Sequence, residues 1–176
     1  GYRFGDEFVD GEDQTVLRRS GEPMDNVRPA GRSVAAMNLL RLGDLMLDET
    51  MHKRAAAVFG STPAAISRVP QAFSHLMLAL DYALDSSKEI AVIGDPAAED
   101  TQVMVRAIDS GFRPNLVLAV GPEGTDDAPA YPPLLSKRND KDGKATAYVC
   151  ESRVCKLPTT DPAQASSLAN TYTKIP

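Results

Sequence analysis

The chain has 176 residues, 43% of them hydrophobic, and a net charge of −5. That size and composition suit one domain or slightly more, with an ordinary core. The negative balance, without a basic stripe, argues against a nucleic-acid groove, which needs excess Lys and Arg to displace counterions, and no apolar run nears the ~20 residues of a membrane span.

The start, Gly1 to Phe4, shows no initiator Met, charged n-region or apolar h-region, so the chain reads as an excised or processed piece rather than a signal-bearing precursor. Residues 1–31 are rich in Gly, Asp, Glu and Arg, with short strands expected at Phe8-Val9 and Val16-Leu17. Ser33 is placed to cap a helix reaching Leu47. Its apolar residues, Val34, Met37, Leu39, Leu40, Leu42 and Leu45, cover most of the circumference, as in a helix buried between neighbours. An Ala-rich helix at 48–59 stops at Gly60. Thr62-Pro63 restarts a short one, which Val69-Pro70 breaks. A helix at 71–84 follows, with Phe73, Leu76, Met77, Leu80, Ala83 and Leu84 on one face.

The pattern switches at Ser86-Ser87. Residues 89–94 read as a buried strand, and Asp95 as the N-cap of a helix with Pro96 at its first position and Gly111 at a left-handed end. Residues 115–120 form the next strand, which makes a right-handed βαβ unit with parallel strands. After the Gly-, Pro- and Asp-rich loop at 121–133 and a turn at Asp140–Gly143, residues 144–150 alternate as a third strand. Asp161 caps a terminal helix at 162–172, with Leu168 as its anchor. The expected fold is α+β: a helical part, residues 1–85, then a small, mainly parallel three-stranded α/β part, residues 86–176.

Cys150 and Cys155 sit four residues apart across a strand, a turn and an exit. Three readings stay open. A four-residue loop can bring opposed strand positions to a Cα separation of ~5.5 Å, suited to a disulfide, which in so small a loop adds about 2 kcal/mol. A redox-active pair needs a lowered thiol pKa, which Arg153 and Lys156 favour and Glu151 opposes. The third reading is two reduced, partly buried thiols. Two cysteines in a chain this long do not fix the redox compartment. With His52 and His75 the only histidines, no metal site is expected. Val92-Ile-Gly94 is not a dinucleotide fingerprint, since one glycine follows the strand and Pro96 removes an N–H, and Gly121–Gly124 reads as a turn. No cofactor is expected. Met46, Met51, Met77 and Met104 read as core filling.

Ala147-Tyr-Val-Cys150, the spaced Cys155, then Pro158 and Asp161-Pro162 resemble the C-terminal signature of the spermatogenesis-associated, thioredoxin-domain-containing proteins. The segment from Pro29 through Gly31, Ser33 and Val34 to Leu42 is similar to that family's Pro-Ser-Gly-Asn-Ser-Val-Ala helix start, and Gly1 to Phe4 to its Gly-Gly-Tyr-Phe. The resemblance implies a parent with an N-terminal thioredoxin-like domain and an α/α toroid like those of N-acylglucosamine 2-epimerases and six-hairpin glycosidases. This chain would then be the closing toroid helices plus a C-terminal α/β appendage, inactive alone, cytoplasmic, with the upstream segments as partners and a sugar as the expected ligand. Ala30 and Arg32 depart from the family pattern, Arg32 placing a fixed cation where an amide stands. In such toroids the loops before inner helices face the cavity. Asp25, Arg28 and Arg32 are therefore the candidate site, clamping an anionic sugar, or else an ordinary surface loop, since no second carboxylate stands at useful spacing. His75, turned away from the apolar stripe, is a further candidate base. The remaining alternatives are a non-catalytic module that docks the thioredoxin-like domain, and a redox accessory acting through Cys150 and Cys155.

Overall fold

The computed structural model describes residues 24–61, 63–124 and 132–170. The strands expected at Phe8-Val9 and Val16-Leu17 lie outside them. In chain order the elements are α1 (Gly31–Met46), α2 (Glu49–Gly60), α3 (Pro63–Arg68), a 3-10 turn at Pro70–Phe73, α4 (Ser74–Leu84), β1 (Lys88–Ile93), α5 (Glu99–Asp109), β2 (Leu116–Gly121), a 3-10 turn at Pro133–Leu135, β3 (Thr146–Glu151), β4 (Val154–Cys155) and α6 (Pro162–Ala169). The mixture of helix and sheet is the expected α+β class. Among the described residues, those up to Leu40 together with Thr50–Asp81 form one compact unit; Arg41–Glu49 and those from Tyr82 onward form the second.

The first unit is helical. Its interior is built from Ala30, Ser33, Ala36, Leu40, Ala55, Phe73, Leu76 and Ala79. Several of these are small; Leu40, Phe73 and Leu76 are the large apolar residues fully inside, and other large ones are only partly covered. On α1, Val34 is 36%, Leu42 46% and Met46 44% exposed, so this helix is not enclosed on all sides as its composition suggests. Ser33 does not cap α1 but lies buried in its first turn, its N–H donating to the Ala30 carbonyl at 2.9 Å. The buried face of α4 also differs from expectation. Phe73, Leu76, Ala79 and Tyr82 are inside, while Leu84 is 66% exposed. Tyr82, with which α4 passes into the second unit, is inside rather than Leu84 because its hydroxyl has a buried acceptor at 2.5 Å in Asp44 of that same unit.

The second unit centres on a four-stranded sheet in the order β2-β1-β3-β4. The βαβ unit is present: β1 and β2 are parallel, Lys88 opposite Leu116 and Ile93 opposite Gly121. The third strand departs from the mainly parallel expectation. β3 joins the other side of β1 antiparallel, Ile90 opposite Val149, and β4 folds back antiparallel on β3. The sheet is therefore mixed and has four strands. The fourth strand has a local reason: a two-residue turn, Ser152 and Arg153, with φ of 49° and 65°, reverses the chain straight after β3. That hairpin geometry is usually announced by Asn-Gly or Asp-Gly, where positions 152–153 carry Ser-Arg.

β1 is buried along its whole length, as a central strand covered on both faces must be. Ile90 and Val92 pack with Val149, Ala145 and Ala147 of the β3 region, Met104 and Ile108 of α5, and Ala165 and Ala169 of α6. Ala165 and Ala169 are thus the buried anchors of α6, with Leu168 at the margin. Asp161 caps α6 as expected, its Oδ1 accepting the Ala163 N–H at 2.9 Å. Asp95 does not cap α5. It closes a turn through the Ala97 N–H at 2.9 Å, and α5 begins after Ala98. Gly111 is not left-handed, and α5 ends through Ser110 in the right-handed region; among the described residues the left-handed glycines are Gly124 and Gly143. Of Met46, Met51, Met77 and Met104, Met104 alone is buried, at 1%.

Gly94, at the end of β1, permits a close approach: a Cβ there would lie 2.4 Å from Thr101 Oγ1 and 3.4 Å from Ala145 Cα. Gly94→Ala is expected to destabilise the chain by about 2 kcal/mol through overpacking. Thr101→Ala in the same chain should recover most of it, because Thr101 Oγ1 is buried without a hydrogen-bond partner and its removal leaves no donor stranded. Urea unfolding of the single and double variants measures both effects. Among the described residues, no helix is long and apolar enough to cross a membrane.

Candidate functional site

The loop before α1 belongs to the first unit, and Asp25 is its organising residue. Asp25 is 8% exposed. Its Oδ1 accepts the Ala30 N–H at 2.7 Å, and its Oδ2 accepts the N–H groups of His75 at 2.9 Å and Leu76 at 3.1 Å. The Asp25 N–H in turn donates to the Ala72 carbonyl at 2.7 Å. Asp25 thus ties its own loop to the first turn of α4, where main-chain N–H groups have no helical partner. Burial alone would raise its pKa, but the N–H donors of Ala30, Leu76 and His75 outweigh burial and hold the carboxyl below its ordinary value. An acid so held is a poor proton donor and a good cap.

Arg28 is exposed in the same loop. Arg32 is half-buried, its guanidinium carbon 5.6 Å from the centroid of the Phe73 ring. That stacking places a cation beside the Asp25–α4 junction. His75 is half-buried and contributes its main chain to Asp25; His52 is half-buried on α2.

The second unit holds the cysteines, which form a disulfide. They face each other in the β3–β4 ladder. The next pair, Val149 and Lys156, is hydrogen-bonded at 2.9 Å, so the cysteines occupy a non-hydrogen-bonded position, where Cα atoms approach more closely. Their separation of 3.8 Å is accordingly shorter than a generic disulfide spacing. Cys150 is 1% exposed, whereas Cys155 is open to solvent. Arg138 stands over both: its Nη2 lies 3.7 Å from the Cys150 sulfur and 3.6 Å from the Cys155 sulfur. Its Nη1 donates to the Leu134 carbonyl, and its guanidinium carbon is 5.5 Å from the Tyr148 ring centroid. Arg138 is half-buried, and that burial pushes its pKa down from its ordinary value. The turn is pinned from β1 by Glu89, whose Oε2 accepts the Arg153 N–H at 3.1 Å. Beside it, Lys88 and Glu151 form a buried ion pair at 2.5 Å.

Arg138, Glu89, Lys88, Asp44 and Tyr82 were not visible as site residues in the sequence. Arg138 precedes the cysteines by a turn with no fixed spacing, and only the pairing of β3 with β4 brings it over them. Lys88 and Glu89 gave a usable signal, two charges opening an otherwise apolar strand. Among the described residues, no three His, Cys, Asp or Glu side chains are grouped to hold a metal.

The structure thus defines a mixed helix-and-sheet chain with a carboxylate-tied loop in its helical unit and a disulfide hairpin in its sheet unit. The chain is homologous to the spermatogenesis-associated protein 20 family. It is 32% identical to human spermatogenesis-associated protein 20 over 152 residues, 85% of this chain and 19% of the relative. The rat protein of the same name is 31% identical over 152 residues, again 85% of this chain and 19% of the relative. An uncharacterized protein of Caenorhabditis elegans is 28% identical over 146 residues, 83% of this chain and 20% of the relative. The chain therefore spans about a fifth of the length of the curated relatives it matches. No protein-family model matches the chain, and no solved structure matches it. The family resemblance carried by the cysteine stretch and the 29–42 segment is borne out by these relatives.

Proposed function

We propose that the chain is the C-terminal portion of a larger thioredoxin-domain-containing protein with a carbohydrate-handling, epimerase- or glycosidase-like α/α toroid. In this reading its helices supply packing surface to that toroid and not the catalytic acid. The observation that carries the reading is the state of Asp25. Both of its oxygens are taken by main-chain N–H donors, so the carboxylate that the 25–33 loop would offer to a sugar is spent on structure. The chemistry would then come from acids elsewhere in the parent. Arg28, exposed at the loop surface, would then orient an anionic sugar in its cavity, with Arg32 stacked on Phe73 behind it.

The surface for packing is on α1. Val34, Leu42 and Met46 stand eight and four residues apart, which keeps them on one side of the helix, and all three are exposed. A neighbouring toroid helix would cover them. The expected partners are the upstream toroid and thioredoxin-like segments of the same cytoplasmic parent.

The test is association between this chain and the separately produced remainder of its parent, followed by titration calorimetry. Wild-type chain is expected to bind. Leu42→Asp with Met46→Asp, which places charge on the covered stripe, is expected to weaken binding at least tenfold while leaving the circular dichroism of the chain unchanged. Absence of binding by the wild type would sink the proposal. In the isolated chain, a hexosamine panel is expected to leave the melting temperature unmoved.

A further inference from the structure

We propose that the Cys150–Cys155 hairpin is a thiol–disulfide exchange site for a dithiol, with Cys155 as the sulfur attacked and Cys150 as the leaving thiolate beside Arg138. The inference does not depend on the packing role of the helices, since it concerns the sheet unit alone.

Three observations carry it. The first is asymmetry of access. Cys155 is exposed on β4, a strand only two residues long, whereas Cys150 is 1% exposed on β3. An incoming thiolate can therefore reach one sulfur and not the other, which fixes the direction of attack. The second is Arg138. A guanidinium gains little from a neutral disulfide, because divalent sulfur is a weak acceptor. Yet Arg138 is half-buried, held by the Leu134 carbonyl and the Tyr148 ring, with its Nη2 within 3.7 Å of both sulfurs. A fixed cation in that place favours whichever sulfur becomes a thiolate. Of the acidic groups nearby, Glu151 is paired with Lys88, while Glu89, which accepts the Arg153 N–H, also attracts the Arg138 cation and helps to hold it in place.

The third observation is that the bridge is not what shapes the hairpin. It links residues five apart that the β3–β4 ladder already pairs. Glu89 holds the turn through Arg153, and the Arg153 guanidinium also reaches Glu49 at 2.8 Å. A reduced hairpin therefore keeps its two thiols adjacent and ready to close again.

The step balances as follows. A thiolate of the incoming dithiol attacks Cys155 Sγ. The Cys150–Cys155 bond breaks, and its electron pair leaves on Cys150 as a thiolate facing Arg138. The second thiolate of the substrate then attacks its own sulfur in the mixed disulfide, releasing Cys155, and both cysteines take protons from solvent. The dithiol is oxidised to a disulfide by two electrons, and the cysteine pair is reduced to two thiols.

The test uses the whole chain with dithiothreitol as the dithiol. Reduction is followed by alkylation and mass measurement, alongside circular dichroism. The expected result is reduction faster than global unfolding, with the fold retained. Arg138→Met is expected to slow it about fivefold. Arg138→Lys, which restores a cation, should recover part of that loss, a response that a merely packing role would not give. In a Cys150→Ser chain, oxidised glutathione should form a mixed disulfide on Cys155, whereas in Cys155→Ser the buried Cys150 should resist it. Reduction only at the rate of global unfolding, or equal rates for wild type and Arg138→Met, would overturn the proposal.

Discussion

Asp25→Ala is expected to lower the unfolding free energy by about 3 kcal/mol, roughly the sum of a lost helix cap and further charge-assisted hydrogen bonds. The effect exceeds that of an ordinary cap because three N–H groups lose one acceptor together: Ala30 within the loop, and His75 and Leu76 at the start of α4. Asn should recover less than half, since its amide turns an NH2 toward donors. The same carboxyl shapes the acid limb of stability. Its folded pKa is depressed, so its contribution is complete above the unfolded value of about 4 and is lost as pH falls from there through the folded value. Urea unfolding of wild type and Asp25→Asn across that acid range should give curves that converge as the pH drops. Parallel curves would remove Asp25 from this role.

Glu151→Ala is expected to cost a similar amount, about 3 kcal/mol, for a different reason. The Lys88 and Glu151 side chains are 6% and 17% exposed, so removing the acid leaves an ammonium group withdrawn from water near the start of β1. The pair need not be stabilising as such. Lys88→Met combined with Glu151→Leu, which replaces both charges by apolar groups of similar size, is expected to return close to wild-type stability. Thermal unfolding of the two chains decides it, and equal losses would show that the charges matter for more than their mutual neutralisation.

What the sequence revealed follows from the range of the forces involved. The helices at 31–60 and 74–84, the strand at 88–93 and the cap at Asp161 rest on local periodicity and local hydrogen bonds, and they were readable within two or three residues. Tertiary partners were not. Asp25 looked like a free acid because two of its donors, His75 and Leu76, lie on α4, distant in sequence. The sheet looked mainly parallel because nothing near Thr146–Glu151 states on which side of β1 it will dock. The turn at Ser152 and Arg153 evaded notice because neither residue favours the left-handed region it adopts. The cysteine pair was recognisable as a pair, but Arg138, twelve residues before Cys150, takes its place only once β3 and β4 have met.

The interleaving of the two units along the chain sets an order of assembly. Arg41–Glu49 is polymerised well before the residues it joins. Asp44 has to stay hydrated until Tyr82 emerges, and Arg41 waits longer still for the Pro114 carbonyl, which it meets at 3.0 Å. On a ribosome adding roughly 5–20 residues per second, the later half of α1 therefore spends several seconds without the partners that complete its unit. A polar lining, with Asp44 among its inward residues, suits that delay better than an apolar one: a segment made early and used late has to tolerate water in the meantime.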